Sequence, residues 1–310
     1  MWLSGWSYRK KVTLSRASGA VTNYQMKLLV GESSGATGEN VDCGGKVSAD
    51  FKDLRFTTSD GSTLLDYWIE SVSGTTPNCL ATVWIEFDSI GTGNTTFYMY
   101  YGNSGASDAS NGTNTFIFFD DFVRADSTNT GWTEDTIDWS IASNTLTGTR
   151  AGTDGAIYKA TATIPTSFAA TARLKTGGAN GYFFFYVFGS ADNQCGLMMF
   201  GNLSKIQGRD GASSVDTGVS YATNTYYQLE SRYNADDGKL DYAVDGTVYL
   251  TNKASLTTTA KNRVQFSIFN NNVSGTVDWC FVRKWEASEP AWGVLGIAES
   301  GDGGLFTFHG

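Results

Sequence analysis

The chain has a single histidine, His309, next to its last residue. A Ser-His-Asp or Cys-His nucleophilic device would have to use that residue. A multi-histidine zinc site cannot be built at all. The stretch Gly31-Glu-Ser-Ser-Gly35 fits the G-x-S-x-G pattern that presents a hydrolase serine. Without a partner histidine to activate Ser33, it reads as a loop. The side chains present in number suit holding a ligand. With 9 Trp and 15 Tyr, the chain can offer rings to the C–H face of a pyranose, while Asn, Asp and Gln bind its hydroxyls. The candidates on loops or outward strand phases are Trp132, Tyr221, Tyr226 and Trp292. Tyr182, Phe184 and Tyr186 share one face of an aromatic run and form a second set. Four cysteines are too few for a disulfide scaffold. Cys43 and Cys79 could pair in the first half and Cys195 and Cys280 in the second, with four buried thiols as the alternative.

The elements that must position these residues read as strands. Of 310 residues, 41% are hydrophobic, 14% aromatic and 17% charged, with 36 Gly and 3 Pro. That mixture of aromatics, small turn-formers and few charges fits an all-β chain. Period-two alternation runs through Tyr8–Leu14, Asn23–Val30, Leu64–Glu70, Ala81–Phe87 and Thr95–Tyr101. In Ala81–Phe87 it puts Ala81, Val83, Ile85 and Phe87 inward. Residues 104–115 are small and polar, and read as a linker. About nine further strands follow, among them Tyr182–Phe188 and Thr276–Trp285, with turns at Asp236-Asp-Gly238 and Asp245-Gly246. The prediction is two antiparallel β-sandwich (jelly-roll) domains, 1–103 and 116–286, joined by that linker. Residues 287–310 form a Gly-rich tail that reads as a docking strand or arm.

The first half carries specific motifs. Trp6-Ser-Tyr-Arg-Lys10, Asp53-Leu-Arg-Phe56, Tyr67-Trp-Ile-Glu70, Val83-Trp-Ile85 and Tyr98-Met-Tyr-Tyr-Gly-Asn103 occur in order. Together they resemble an uncharacterised family, a domain of unknown function found in archaeal and bacterial surface proteins and in viral tail or fibre proteins. The second half is similar to concanavalin A-like and laminin-G-like jelly rolls of the lectin/glucanase kind. The residues that carry this likeness are Phe119-Asp-Asp-Phe122, Tyr226-Tyr-Gln-Leu-Glu230, Tyr242-Ala-Val-Asp-Gly246 and Val277-Asp-Trp-Cys-Phe-Val-Arg-Lys284.

Glucanases of that kind carry E-x-D-x-x-E on one strand, which keeps the three carboxylates on one face. Glu86-Phe-Asp88 has the first half of the pattern, but Gly91 stands where the second Glu should be. The same likeness implies a structural calcium joining the first and last strands, with Asp120 or Asp121 and Asp278 at those positions. Calcium wants six to eight oxygens, so such carboxylates suit it. Without that ion, Asp278 would face solvent or pair with Arg283 or a backbone amide. Asn234-Ala-Asp-Asp-Gly238 is explained as a hairpin turn.

Net charge is −9, from 22 Lys and Arg against 31 Asp and Glu, which argues against a nucleic-acid partner. No segment reaches the roughly 18 apolar residues of a membrane span. The start of the sequence lacks a signal peptide's apolar region. These readings point to a non-enzymatic surface or virion protein, a tail, fibre or decoration subunit. Its C-terminal jelly roll would bind a cell-surface glycan, and the chain would assemble with itself or with other virion or surface-layer subunits. The alternatives are a purely architectural subunit, and a glycoside hydrolase or polysaccharide lyase.

Overall fold

The computed structural model describes every residue except 18, 136, 151, 162–163, 179–180, 190–193, 212, 256–259, 271–272 and 302–310. The chain divides into two compact units, Met1–Thr115 with Ser288–Gly310, and Phe116–Ala287.

Unit 1 begins with β1 (Tyr8–Arg16), β2 (Val21–Gly31), β3 (Val41–Asp42) and β4 (Arg55–Thr58). It continues with β5 (Leu64–Leu65), β6 (Tyr67–Ser73), β7 (Leu80–Ile90), β8 (Gly93–Tyr101) and the one-turn helix α1 (Gly112–Thr115). One sheet has the order β3-β2-β7-β6. All its pairs are antiparallel except β2–β3, which is parallel. A second sheet contains β1, β8, β4 and β5 in that order. Val12, Leu14, Leu28, Val30, Phe56, Val83, Ile85 and Phe97 point into one core between the sheets. The predicted inward set Ala81, Val83, Ile85 and Phe87 is buried as expected.

Residues from four of the five motifs of unit 1 meet in one polar knot. Asp53 accepts hydrogen bonds from the Ser48 amide (3.0 Å) and hydroxyl (2.6 Å), and from the amides of Gly102 (2.8 Å) and Asn103 (3.2 Å). Arg55 donates to the carbonyls of Lys52, Leu54 and Ser107 and to the Tyr67 hydroxyl. Burial pushes the Tyr67 phenol up to about 12, against the neighbouring Arg55 charge. Trp6 lies 5.1 Å from the Arg55 guanidinium, and its Nε1 donates to the Asp53 carbonyl. Buried charges are tolerated only when so saturated.

Residues 104–115 therefore do not behave as a linker. The Ser107 carbonyl binds Arg55, the Ser110 hydroxyl accepts from the Ile69 amide at 2.8 Å, and the Asn111 amide donates to the Tyr67 carbonyl. Small polar residues here satisfy buried backbone groups, a role that composition does not distinguish from a solvated spacer.

Unit 2 opens with β9 (Phe118–Asp120), β10 (Thr133–Glu134), β11 (Trp139–Ala142), β12 (Thr145–Thr149) and β13 (Gly155–Ala160). Next come β14 (Phe168–Thr176), β15 (Tyr182–Gly189), β16 (Gln194–Phe200), β17 (Lys205–Asp210) and β18 (Ser213–Ser220). It ends with β19 (Tyr227–Asn234), β20 (Lys239–Val244), β21 (Thr247–Ala254), β22 (Lys261–Phe269) and β23 (Ser274–Lys284). A seven-stranded sheet has the order β10-β13-β22-β15-β16-β17-β18. An eight-stranded sheet contains β11-β12-β23-β14-β19-β20-β21, with β9 pairing onto β23. Their inner faces share one core that includes Phe183, Phe185, Val187, Leu197, Phe266, Ala170, Leu229, Tyr242 and Val282. Closing such a sandwich buries every second residue of each strand and leaves the alternate residues facing outward.

The chain then returns to unit 1 as β24 (Ala291–Ser300), which pairs antiparallel with β1 at the edge of its sheet. The tail expected over 287–310 is thus in part an integral strand. Residues 302–310, including His309, lie outside the described residues.

Candidate functional site

Strand β15 builds the site. Its inward residues Phe183, Phe185 and Val187 are fully buried. That fixes Tyr182, Phe184, Tyr186 and Phe188 on the outer face of the seven-stranded sheet. Cross-strand register adds neighbours to that face. Tyr182 lies opposite Phe200 and Phe269, and Phe184 opposite Met198 and Ser267. Tyr186 lies opposite Gly196 and Gln265, and Phe188 opposite Gln194 and Arg263. Tyr182 packs 4.7 Å from Phe200, Phe184 5.1 Å from both Tyr186 and Phe269. These rings form a cluster separate from the core, in which Phe184, Tyr186 and Met198 are buried and Tyr182, Phe200 and Phe269 are partly exposed.

Gly196 makes the arrangement possible. A Cβ there would lie 1.9 Å from the Phe185 carbonyl oxygen, so any side chain would drive β15 and β16 apart. Gly196 is also opposite Arg209 on the next strand. Its bare backbone leaves the row between Tyr186 and Arg209 open. The Arg209 guanidinium sits 5.9 Å from the Phe184 ring and donates to the Ser214 hydroxyl at 2.9 Å. Its Nε is buried without a partner, as is Gln194 Oε1. Such orphans each cost about 1–3 kcal/mol, which a water, an ion or a ligand would relieve. Burial holds the Tyr186 phenol well above its ordinary range, opposed by the Arg209 charge, so it stays protonated and able to donate.

The rings and these polar groups line a groove of about 360 Å³. Its described carboxylate, Asp154, accepts from Arg150 at 2.7 Å and from the Asn270 amide at 2.9 Å. The groove can offer flat apolar surface for C–H groups, and amide, phenol and guanidinium for hydroxyls or anions.

Of the residues singled out from sequence, Tyr182 and Tyr186 come together here, with Phe184 between them. The others do not join them. Trp132 is core: it packs against Phe118, Phe122 and Phe266, and its Nε1 donates to Asp120 at 2.8 Å. Tyr221 belongs to the same inner core, so neither of these rings lies on the outer face of the sheet. Both stand in connections, where no alternation reveals the inward phase. Tyr226 is half-buried beside the other sheet, with the cations of Arg173 and Lys175 4.3 and 4.6 Å from its ring. Trp292 belongs to β24 of unit 1, donating to the Lys27 carbonyl at 2.9 Å and lying 6.0 Å from the Phe97 ring.

The carboxylates expected to hold calcium are engaged otherwise. Asp120 accepts from Arg124 at 2.7 and 3.1 Å, from Trp132, and from the Phe122 amide. Asp121 caps the Val123 amide at 3.1 Å. A register shift opposite Arg173 and Leu174 makes Asp278 the extra residue of a β-bulge. The bulge turns Asp278 out of the core while Val277 and Cys280 stay in it, and Asp278 pairs with Arg173. Among the described residues no group of three or more His, Cys, Asp or Glu side chains gathers as a metal site. Glu86 and Asp88 lie in β7 of unit 1.

Of the two readings of the cysteines left open by the sequence, the structure has the second: all four are buried thiols. The Cys43 amide bonds to Gly31 on one side of the β2 end, and the Glu32 amide to the Cys79 carbonyl on the other. Two strand spacings, about 9–10 Å, separate those positions, beyond the reach of a disulfide. Cys195 and Cys280 stand in different sheets.

Sequence reading missed Arg209, Gln194, Met198, Phe200 and Phe269. The signal existed in Lys205-Ile-Gln-Gly-Arg-Asp210, whose alternation puts Lys205, Gln207 and Arg209 on one face.

A family model described as "Domain of unknown function (DUF2341)" matches residues 50–136. No curated protein matches the chain. Solved structures similar to it include a sialidase, at 11% identity and TM-score 0.45, covering 67% of this chain and 20% of that one. The chain therefore spans about a fifth of the sialidase's length. A Bacillus licheniformis β-glucanase is similar at 10% identity and TM-score 0.41, covering 55% of this chain and 98% of that one. The Emp47p carbohydrate recognition domain is similar at 15% identity and TM-score 0.43, covering 55% and 96%. Glycosidases thus stand among the structures it is similar to, and the expectation of a non-enzyme is withdrawn on that finding.

Among the described residues no helix is long and apolar enough to cross a membrane.

Proposed function

We propose that unit 2 binds carbohydrate along the outer face of its seven-stranded sheet. The observation that carries this is the outer aromatic cluster, in which the half-buried rings of Tyr182, Phe200 and Phe269 rest on buried Phe184 and Tyr186 beside Gln194 and Arg209. A row of rings with amide and guanidinium at its margin matches a sugar chain, whose faces are apolar and whose rim is polar. A surface location, on a cell or a virion, belongs to the same proposal. It is supported by the resemblance of the Trp6-to-Asn103 motifs to surface and tail proteins.

A glycan array followed by calorimetric titration tests the reading. Binding of a defined saccharide that is lost in Tyr182→Ala supports it. Absence of binding to every saccharide, or binding unaffected by changes to this face, overturns it. Reducing-end detection in the same samples reads whether the bound glycan is also cleaved.

A further inference from the structure

We infer that the ligand of this face is an acidic saccharide carrying carboxylates, such as a polyuronate, selected by Arg209 and Arg263; the inference rests on the carbohydrate reading above. It starts from how the arginines of unit 2 are used. Arg124 pairs with Asp120, Arg150 with Asp154, Arg173 with Asp278 and Arg232 with Glu230, and the charge of buried Arg283 also acts on Glu230. Arg209 and Arg263 have no carboxylate partner among the described residues, and both stand on the aromatic face. Arg263 lies opposite Phe188, its guanidinium 3.9 Å from the Phe188 ring and 4.8 Å from the Tyr158 ring. Like Arg209, it has a buried Nε without a partner.

A guanidinium over a ring is held in orientation by its face, which leaves its edge to bind. In Arg209 the Nη1 side is taken by Ser214. The remaining edge carries Nε, which is buried, and Nη2, two parallel donors whose fork matches a carboxylate. Arg209 is on β17 and Arg263 on β22, three strands apart, or about 14 Å at the usual spacing. The aromatic row runs between them. A chain of sugars stacked on the rings would therefore meet a cation on either side. Long-range attraction does not explain such binding, because the protein as a whole carries −9 and repels polyanions. Affinity for an acid must come from these two local charges.

The test uses the whole chain and three polymers at equal length: alginate, carboxyl-reduced alginate and dextran sulfate. The expected result is alginate bound at least 10-fold more tightly than its reduced form, with the preference weakening as salt rises. Arg209→Gln and Arg263→Gln should each remove most of that preference, affinity for alginate falling much further than affinity for the reduced polymer. Arg209→Lys should recover only part of it, since the charge returns without the fork. Lys52→Ala, in unit 1, should change nothing. Thermal unfolding of each variant confirms that it is folded.

Equal affinity for alginate and its reduced form, or unchanged preference in both Gln variants, overturns the inference. Dextran sulfate bound as tightly as alginate overturns the carboxylate assignment. If the reduced polymer binds through Tyr182 without any acid preference, the carbohydrate reading stands and this inference alone fails. If neither alginate form binds, both fail.

Discussion

The knot around Asp53 and the face around Tyr186 use the same residue types to opposite ends. In unit 1 Arg55 bonds to Tyr67 and to backbone carbonyls, the Asp53 carboxylate to Ser48 and to backbone amides, and Trp6 to the Asp53 carbonyl. They are bonded around, with donors and acceptors matched inside the fold. In unit 2 the rings face outward, and Arg209 and Gln194 keep polar atoms that nothing in the described structure satisfies. The strongest sequence motifs of the first half therefore mark a structural lock. The weaker second half carries the surface fit for a ligand. Motif strength measures how tightly a residue is constrained, and a self-saturated cluster constrains its members as strongly as chemistry does.

Breaking the knot should have the largest effect. Asp53→Ala leaves the Ser48, Gly102 and Asn103 donors without an acceptor, at an expected cost of about 3–5 kcal/mol in unfolding free energy. Urea denaturation of the intact chain measures it, and saccharide affinity of the folded fraction should be unchanged. A cost below 1 kcal/mol together with lost saccharide binding would reverse the assignment of roles. Next in size is Gly196→Ala. Its Cβ meets the Phe185 carbonyl, so β15 and β16 must separate, at about 1–3 kcal/mol. Here stability and binding should fall together, because one residue spaces both the sheet and the site. Retained binding would mean that the groove tolerates a displaced strand.

Tyr182→Ala sharpens the contrast from the other side. Tyr182 is only half-buried, so stability should change by less than about 1 kcal/mol, while affinity drops roughly 3- to 10-fold by the worth of one ring contact. Calorimetry and thermal unfolding on the same sample read both. A variant that loses stability and keeps its affinity would make this ring part of the scaffold.

How far the sequence reached follows from the same distinction. Alternation reports phase, and it placed Val83, Ile85 and the run 182–188 well, because a sandwich strand has one buried face. It could not tell that Ser107–Asn111 is bonded to Arg55 and Tyr67, since a polar segment serving buried backbone has the composition of a spacer. It did not resolve β24 as a strand either. Gly293 and Gly296 look like breakers, yet a Cβ at Gly296 would meet the Lys11 carbonyl at 2.8 Å. The glycines are there because β24 approaches β1 closely across its irregular register. The orphan atoms of Arg209 and Arg263 depend on what three neighbouring strands fail to supply, and no local pattern encodes a missing partner.

The smallest effect concerns acid, and it asks whether unit 2 has a lock of its own. Glu230 on β19 is buried, accepts from Thr171 at 3.0 Å and pairs with Arg232. Burial opposes its ionisation, but Arg283, Arg232 and the Thr171 bond together hold its carboxyl below the usual range. A carboxyl lowered in the folded state contributes stability that is complete above its unfolded value, near pH 4.3, and is lost as pH falls through the folded value. Wild type should therefore lose stability between roughly pH 4.3 and the lower folded value, and Glu230→Gln should show a flatter slope there while being less stable at neutral pH. Unfolding measured from pH 7 down to pH 3 reads both. An unchanged slope in the variant would show that Glu230 contributes nothing to acid sensitivity, leaving the saturated polar cluster a feature of unit 1 alone.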